Sequence, residues 1–126
     1  TVGVKVAELT DGRFVIEDVQ RAQLSSHGVE QLMLSMAQTD GVHCDQREEQ
    51  EGGSAGKAVG AARAKLLKGF DYSLVPISGD KVTRAKPYRA QVEAGNVLLL
   101  AGPWNEAYLV ELCNFPTAKH DDQVDA

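Results

Sequence analysis

The chain has 126 residues, of which 43% are hydrophobic and 25% are charged, and its net charge is -5 at pH 7. This composition is typical of a soluble globular domain with a modest core, and no apolar run approaches the length of a membrane span. The negative charge argues against nucleic-acid binding through bulk electrostatics, although it allows a local basic face or an acidic site that binds cations.

A β-hairpin is predicted at the start of the chain. Residues 2–9 alternate apolar and polar side chains, which is typical of a strand. Residues 10–13 predict a turn, because Asp-Gly favours positive φ angles, and residues 14–20 predict a second strand.

Two helices and two strands follow in the middle of the chain. Ser25 and Ser26 can cap a helix with one apolar face, which ends at Asp40-Gly41. Residues 42–49 predict a polar strand, and the next helix runs from the Gly-rich segment 52–54 through Leu67. Residues 72–77 predict a short buried strand.

The last third of the chain predicts three helices around one strand. A helix over 82–93 is interrupted or begins near Pro87, and an apolar strand covers 97–100. Pro103 suits a helix start, and Asp121 opens a final helix. The inner face of the helix after Pro103 is predicted to contain Trp104, Tyr108, Leu109 and Leu112. The order β-β-α-β-α-β-α-β-α-α predicts an α/β fold with a mixed sheet that opens with an antiparallel hairpin and has helices on both faces.

The glycines at 52–57 resemble a phosphate-binding loop only superficially. That loop requires G-x-x-x-x-G-K-[ST], whereas Glu51 stands where the first glycine should be and Ala58 replaces the metal-binding hydroxyl. A nucleotide site is therefore rejected here. The two cysteines, Cys44 and Cys113, lie far apart without zinc-site spacing and are expected to be free thiols in a reducing compartment.

Acidic residues cluster at two places. Glu49 lies in an acidic run that is either a solvated turn or the carboxyl edge of a strand, where ligands collect in α/β sheets. Asp122 and Asp125 are three positions apart, which predicts one face of a helix, while Asp121 can serve as its cap. Carboxylate oxygens suit hard ions such as Mg²⁺ and Mn²⁺.

Basic residues fall around the same loops and helix starts as these acids. They fit a phosphodiester backbone held over metal ions, or else ordinary solvated helix faces. The residues concerned are Lys57, Lys81, Arg84, Lys86 and Arg89.

Five segments in order carry a resemblance that covers nearly the whole chain. They are E-Q-E-G-G-S-A-G-K at 49–57, G-D-K-V-T-R-A at 79–85, E-A-G-N-V at 93–97, G-P-W-N at 102–105, and F-P at 115–116 followed by H-D-D-Q-V-D-A at 120–126. Together they resemble the corresponding motifs of phage terminase large subunits.

The resemblance implies a C-terminal nuclease domain with an RNase H-like fold, here a single domain over residues 1–126 that is truncated at both ends and lacks the ATPase domain. Such a domain is an endodeoxyribonuclease that cuts concatemeric double-stranded DNA during packaging in the host bacterial cytoplasm. The implied partners are this DNA, the ATPase domain of the same full-length chain, the portal and the small terminase subunit, with no membrane.

The resemblance also implies a site that holds two ions, Mg²⁺ or Mn²⁺. Glu49 and Asp122 match family acids, Asp125 lies one helical turn further on, and Asp121 is a further candidate ligand. Glu49, Asp122 and Asp125 would be catalytic, while the basic residues Lys57, Lys81 and Arg84 would bind DNA phosphates. The implied set of candidate ligands is Glu49, Asp121, Asp122 and Asp125.

Three departures from the family pattern stand out. The family's first carboxylate, on a strand upstream of the hairpin, has no counterpart here, so the first strand is expected to be missing. Gly52 replaces a proline, and Glu48 stands where an apolar strand residue is usual.

The alternatives to a terminase nuclease domain are another RNase H-like nuclease of the resolvase type, or a non-catalytic docking module of the packaging motor whose acids form a solvated face.

Overall fold

The computed structural model describes residues 1–117 and 119–126. Five strands and five helices lie in this part of the chain, and their order confirms the predicted one. The strands are β1 (Val2–Glu8), β2 (Phe14–Arg21), β3 (Gln46–Gln50), β4 (Tyr72–Pro76) and β5 (Val97–Leu99). The helices are α1 (Ser26–Asp40), α2 (Gly53–Leu66), α3 (Lys81–Glu93), α4 (Asn105–Asn114) and α5 (Asp122–Asp125).

The chain folds as two compact units. The first unit contains Thr1–Gln23 and Gly79–Ala126, and the second contains Leu24–Ser78. β1, β2 and β5 form a sheet in the first unit, and β3 and β4 pair in the second. Antiparallel and parallel pairings both occur, so the predicted mixed α/β class is confirmed.

The sheet of the first unit is built on the predicted hairpin. β1 and β2 pair antiparallel around a turn in which Gly12 has a φ of 86°, and β2 pairs parallel with β5. Lys5 pairs with Asp18 and Val6 with Ile16, so Glu17 is an extra residue and β2 carries a bulge there.

One side of this sheet is covered by α4. Ile16 and Val19 from β2 and Tyr108 from α4 are buried together, with Trp104 and Leu112 packed against them. The prediction that Leu109 also lies on this inner face is wrong, because its side chain is 43% exposed. A helix turns by about 100° per residue, so the position after Tyr108 points away from the sheet.

Helix α3 begins earlier than predicted and continues through Pro87. Asp80 caps it: its carboxylate accepts hydrogen bonds from Thr83 N at 2.9 Å and Thr83 Oγ1 at 2.8 Å. These hydrogen bonds hold the pKa of Asp80 below its usual value. The helix start is therefore fixed by Asp80 rather than by the proline.

The second unit contains a parallel strand pair joined by a helix. β3 and β4 align Glu49 with Val75, and α2 connects them. Its α1 begins after the Ser25 cap and ends at Gly41, as predicted. β3 starts at Gln46 rather than at residue 42, because the chain first turns with Cys44 N donating to Gly41 O.

Burial in this second unit is limited. Ala37 and Leu67 are buried. The strand predicted to be buried over 72–77 is partly exposed, since Val75 retains 41% of its accessible surface. Over the described residues, the helices are too short or too polar for any of them to cross a bilayer.

Candidate acidic site

The last helix, α5, carries the predicted acidic cluster. Asp121 occupies the N-cap position, yet its side chain makes no capping hydrogen bond. It accepts a hydrogen bond from Lys81 on α3 instead. The conformation of Asp121 is thus tied to a basic partner from another element and not only to the start of its own helix.

Two carboxylates converge on one positive charge. Lys81 Nζ lies 3.0 Å from Asp121 Oδ1 and 3.3 Å from Asp125 Oδ2. The hydrogen bond with Asp121 is the main cause of a raised pKa for Lys81, slight burial opposes it, and Asp125 adds to it. Asp121 and Asp125 therefore have the spacing and orientation needed to share a single cation.

A second basic residue of α3 reaches the same carboxylate. Arg84 Nη2 donates to Asp125 Oδ1 at 2.6 Å, a short charge-assisted hydrogen bond. The side chains of Arg84 and Asp125 are 27% and 23% exposed. Because the pair is mostly shielded from water, salt screens it less than an exposed pair.

These charges border a cleft of about 260 Å³ in the first unit. Lys81, Arg84 and Asp125 line it together with apolar side chains from β1, β2, α3 and α5. Those apolar side chains include Val4, Ile16, Tyr88 and Val124. The ion pairs are therefore accessible from a partly apolar cleft, where electrostatic interactions are stronger than on an open surface.

Asp122 lies in different surroundings from Asp125. It is exposed and lines another cleft of about 350 Å³ with Arg21 and His120. The prediction that Asp122 and Asp125 share one face of α5 is wrong: Asp125 faces Lys81 and Arg84, while Asp122 lines the cleft of His120. The structure thus groups Asp121 with Asp125, and Asp122 with a histidine and an arginine.

A buried carboxylate supports α5 from α4. Glu111 is 5% exposed and Gln123 is 3% exposed. Glu111 Oε1 accepts from Gln123 N at 2.6 Å, and Glu111 Oε2 accepts from Gln123 Nε2. Arg21 Nη1 lies 3.7 Å from Glu111 Oε2.

Sequence reasoning missed Glu111, because a glutamate on a helix is most often solvated. Its spacing was a signal, since it follows Trp104 by seven residues and Tyr108 by three, which places it on the inner face of α4.

The other predicted acid, Glu49, belongs to the second unit. It is exposed, next to the last residue of β3, so the prediction of a carboxylate at the carboxyl end of a strand is confirmed. The side chain of the neighbouring Glu48 lies on the opposite face of β3. Tyr72 Oη donates to Glu48 Oε2 at 2.7 Å, and Arg63 pairs with Glu48 Oε1. Burial raises the pKa of Tyr72.

The glycine-rich segment after β3 makes a tight turn into α2. Gly52 has φ -66° and ψ 152°, a φ that proline also adopts, which explains how glycine can replace the proline of the resembling motif. A Cβ added at Gly56 would overlap the carbonyl oxygen of Glu51. Lys57, the predicted phosphate ligand, is exposed on α2.

The donor set fits a divalent ion only in part. Among the described residues, no group of three or more His, Cys, Asp or Glu side chains is close enough to hold a metal ion. Asp121 and Asp125 nevertheless converge on the ammonium of Lys81, and their oxygens are the kind that Mg²⁺ and Mn²⁺ prefer.

Comparison with known proteins gives one match. The family described as Terminase RNaseH-like domain matches residues 1–126, the whole length of the sequence. No curated protein and no solved structure matches the chain at a significant level. The family match agrees with the mixed α/β fold. The chain belongs to the terminase RNaseH-like domain family.

Proposed function

We propose that this chain is a metal-dependent endonuclease domain of a viral DNA-packaging terminase, which hydrolyses phosphodiester bonds of concatemeric double-stranded DNA. The observation that supports this most directly is the convergence of Asp121 and Asp125 on a single cationic group, beside Arg84. In a chain of this family, carboxylates arranged to share one cation fit a site for catalytic metal ions.

The proposed ligands are Asp121 at the N-cap of α5, Asp122 and Asp125 on α5, and Glu49 near the end of β3. Two bound Mg²⁺ or Mn²⁺ ions would activate water and stabilise the leaving oxygen. The chain's own contribution is to hold these carboxylates.

Lys81 and Arg84 are proposed to hold DNA phosphates. Both lie at the acidic cluster and carry donors that form charge-assisted hydrogen bonds with phosphate oxygens. Lys57, exposed on α2 after the glycine-rich turn, is proposed as a third phosphate contact. Contacts of this kind position the backbone without reading bases, so low sequence specificity is expected.

Membership of the family supports a proposal for the wider setting of the domain. We propose that the domain works in the host bacterial cytoplasm, in one polypeptide with a terminase ATPase domain, and assembles with the portal and the small terminase subunit.

The first experiment is nicking of supercoiled plasmid with Mn²⁺, Mg²⁺ or a chelator. It uses the 126-residue chain and, where the natural protein extends upstream of Thr1, the extended protein as well. Manganese- or magnesium-dependent nicking is expected, and Asp122→Ala, Asp125→Ala and Glu49→Ala should each lower its rate by at least about 100-fold, because each removes a proposed ligand.

The matched control is Glu106→Ala, which removes one exposed carboxylate from α4 and should leave nicking unchanged. Circular dichroism confirms that each variant remains folded. Nicking that persists in chelator, or that survives all three substitutions, contradicts the proposal. Preferential cutting of branched over linear DNA would instead favour the resolvase-type nuclease.

A non-catalytic docking module is the second candidate. The observation in its favour is that Asp121 and Asp125 are already neutralised by Lys81 and Arg84, as in an ordinary surface ion-pair network. This reading predicts no metal-dependent cleavage by any version of the chain, and retention of the isolated motor components by the domain with or without metal.

A further inference from the structure

The buried carboxylate of Glu111 is the most unusual charge in the first unit. It lies on α4 at 5% exposure, and both of its oxygens accept hydrogen bonds from one residue, Gln123. A carboxylate is costly to bury unless it is hydrogen-bonded or paired. The two donors of Gln123, with Arg21 Nη1 at 3.7 Å, provide that compensation.

Helix α5, which Glu111 contacts through Gln123, is too short to be stable on its own. α5 has four residues and no side-chain cap, and an isolated helix of this length is unstable in water. Its orientation must therefore come from contacts with other elements. Glu111 contacts both the backbone and the side chain of Gln123, and two bonds to one residue fix its rotation as well as its position.

Gln123 is placed among the acids that the proposed site needs. It follows Asp122 directly, precedes Asp125 by two positions, and is itself buried at 3% exposure. A rotation of α5 about its axis would move these carboxylates together. Small displacements of catalytic groups have large effects on rate, because binding and chemistry both require a fixed geometry.

We propose that Glu111 is a positioning residue of the nuclease site: through Gln123 it fixes the rotation of α5 and thereby the placement of Asp122 and Asp125. The inference rests on the proposed nuclease function for its catalytic consequence, whereas the hold of Glu111 on α5 can be measured without any activity.

Four variants of the chain distinguish the effect of losing the Glu111–Gln123 contact from the effect of changing a charge. Glu111→Ala removes both acceptors. Glu111→Gln keeps both contacts: its side-chain oxygen still accepts from Gln123 N, and its Nε2 donates to the side-chain oxygen of Gln123 once that amide has flipped. Gln123→Glu sets two carboxylates against each other, and the double variant Glu111→Gln with Gln123→Glu restores a donor facing an acceptor. Glu106→Ala on the same helix is the control for loss of one charge.

Hydrogen exchange of the α5 backbone amides is the first readout. Glu111→Ala and Gln123→Glu should raise the exchange rate of these amides at least tenfold relative to the amides of β2. Glu111→Gln, the double variant and Glu106→Ala should stay close to wild type. Rescue by the double variant is the decisive result, because it restores the contact with the carboxylate and the amide exchanged between the two positions.

Manganese dependence of nicking is the second readout. Glu111→Ala and Gln123→Glu should raise the half-saturating Mn²⁺ concentration about tenfold with little change in KM for DNA. A merely stabilising role would lower the amount of active protein and leave the half-saturating concentration unchanged.

The two proposals fail in different ways. If exchange in α5 is the same in all variants, or if the double variant is no better than Gln123→Glu, the role of Glu111 is overturned whatever the activity. If exchange follows the expected order but wild type neither nicks DNA nor responds to Mn²⁺, the positioning of α5 holds and the nuclease proposal fails. If Glu111→Ala does not fold, the comparison of Gln123→Glu with the double variant still decides.

Discussion

The ammonium of Lys81 connects the two chemistries proposed for this chain, since it contacts two candidate metal ligands and is itself a candidate phosphate ligand. Its side chain is 46% exposed. Ion pairs at this exposure contribute little to stability, about 1 kcal/mol or less. The chief effect of Lys81 is therefore expected on the local charge near α5 and not on folding.

The small contribution of the Lys81 ion pairs to stability should decrease at high pH. Hydrogen bonding to Asp121 raises the pKa of Lys81 above 10.5, so the stabilisation is fully present below pH 10.5 and is lost as the pH rises through the raised value. Lys81→Met should lower the free energy of unfolding by about 1 kcal/mol or less at pH 8. The difference from wild type should shrink at pH 11, as measured by urea denaturation at both pH values. A difference that grows above pH 10.5 contradicts this account.

The contacts between individual side chains were the part of the site that the sequence predicted least completely. Helical spacing predicted one shared face for Asp122 and Asp125, whereas Asp125 lines the cleft of Lys81 and Arg84 and Asp122 lines the cleft of His120. Spacing gave no sign that Lys81 and Arg84 would contact Asp121 and Asp125, because α3 and α5 are far apart in sequence. Such contacts depend on tertiary packing, which no local pattern encodes.

At the scale of elements, the turn between β3 and α2 fixes the path of the backbone directly after Glu49. Two glycines, Gly52 at the N-cap of α2 and Gly56 in its first turn, differ sharply in their surroundings. A side chain at Gly56 would overlap the Glu51 carbonyl oxygen, whereas a Cβ at Gly52 would meet nothing within 4 Å. The backbone carbonyl cannot move without shifting the segment that follows Glu49.

The matched pair Gly56→Ala and Gly52→Ala tests this difference. Gly56→Ala should lower the free energy of unfolding by about 1–3 kcal/mol, the usual cost of overpacking, despite the better helix propensity of alanine. Gly52→Ala should change it by less than about 0.5 kcal/mol. Both values come from chemical denaturation monitored by circular dichroism. Equal effects from the two substitutions would show that the turn is not tightly packed.

The order of the elements was predictable, and some of their limits were not. Turn residues such as Asp11-Gly12 and Asp40-Gly41 mark boundaries through local backbone preferences, and the structure confirms both. The start of β3 was misplaced because residues 42–45 mix apolar and polar side chains as a strand does. Leu109 was misassigned because apolar character alone does not show which face of a helix is covered.

At the scale of the whole molecule, the net charge of -5 means that the proposed DNA binding has to come from a few local cations. Lys57, Lys81 and Arg84 are the three proposed phosphate contacts. Each phosphate contact releases counterions, so the logarithm of the binding constant should fall with the logarithm of salt concentration with a slope of about -2.7 for three contacts.

Fluorescence anisotropy with a labelled DNA duplex at several salt concentrations measures this slope. Lys81→Met should reduce its magnitude by about 0.9, since one contact is lost. Lys65→Met, an exposed lysine elsewhere on α2, is the control and should leave the slope unchanged. A slope near zero would mean that DNA is not held through its phosphates.

The first unit is assembled from two separate stretches of the chain, and this has a consequence for synthesis on the ribosome. Leu24–Ser78 is continuous, so it can fold as soon as it leaves the exit tunnel. The hairpin of β1 and β2 emerges earlier but acquires β5 and the buried Tyr108 only after that whole segment has been made. The hairpin therefore finishes folding after Leu24–Ser78, and its apolar residues stay uncovered in the interval.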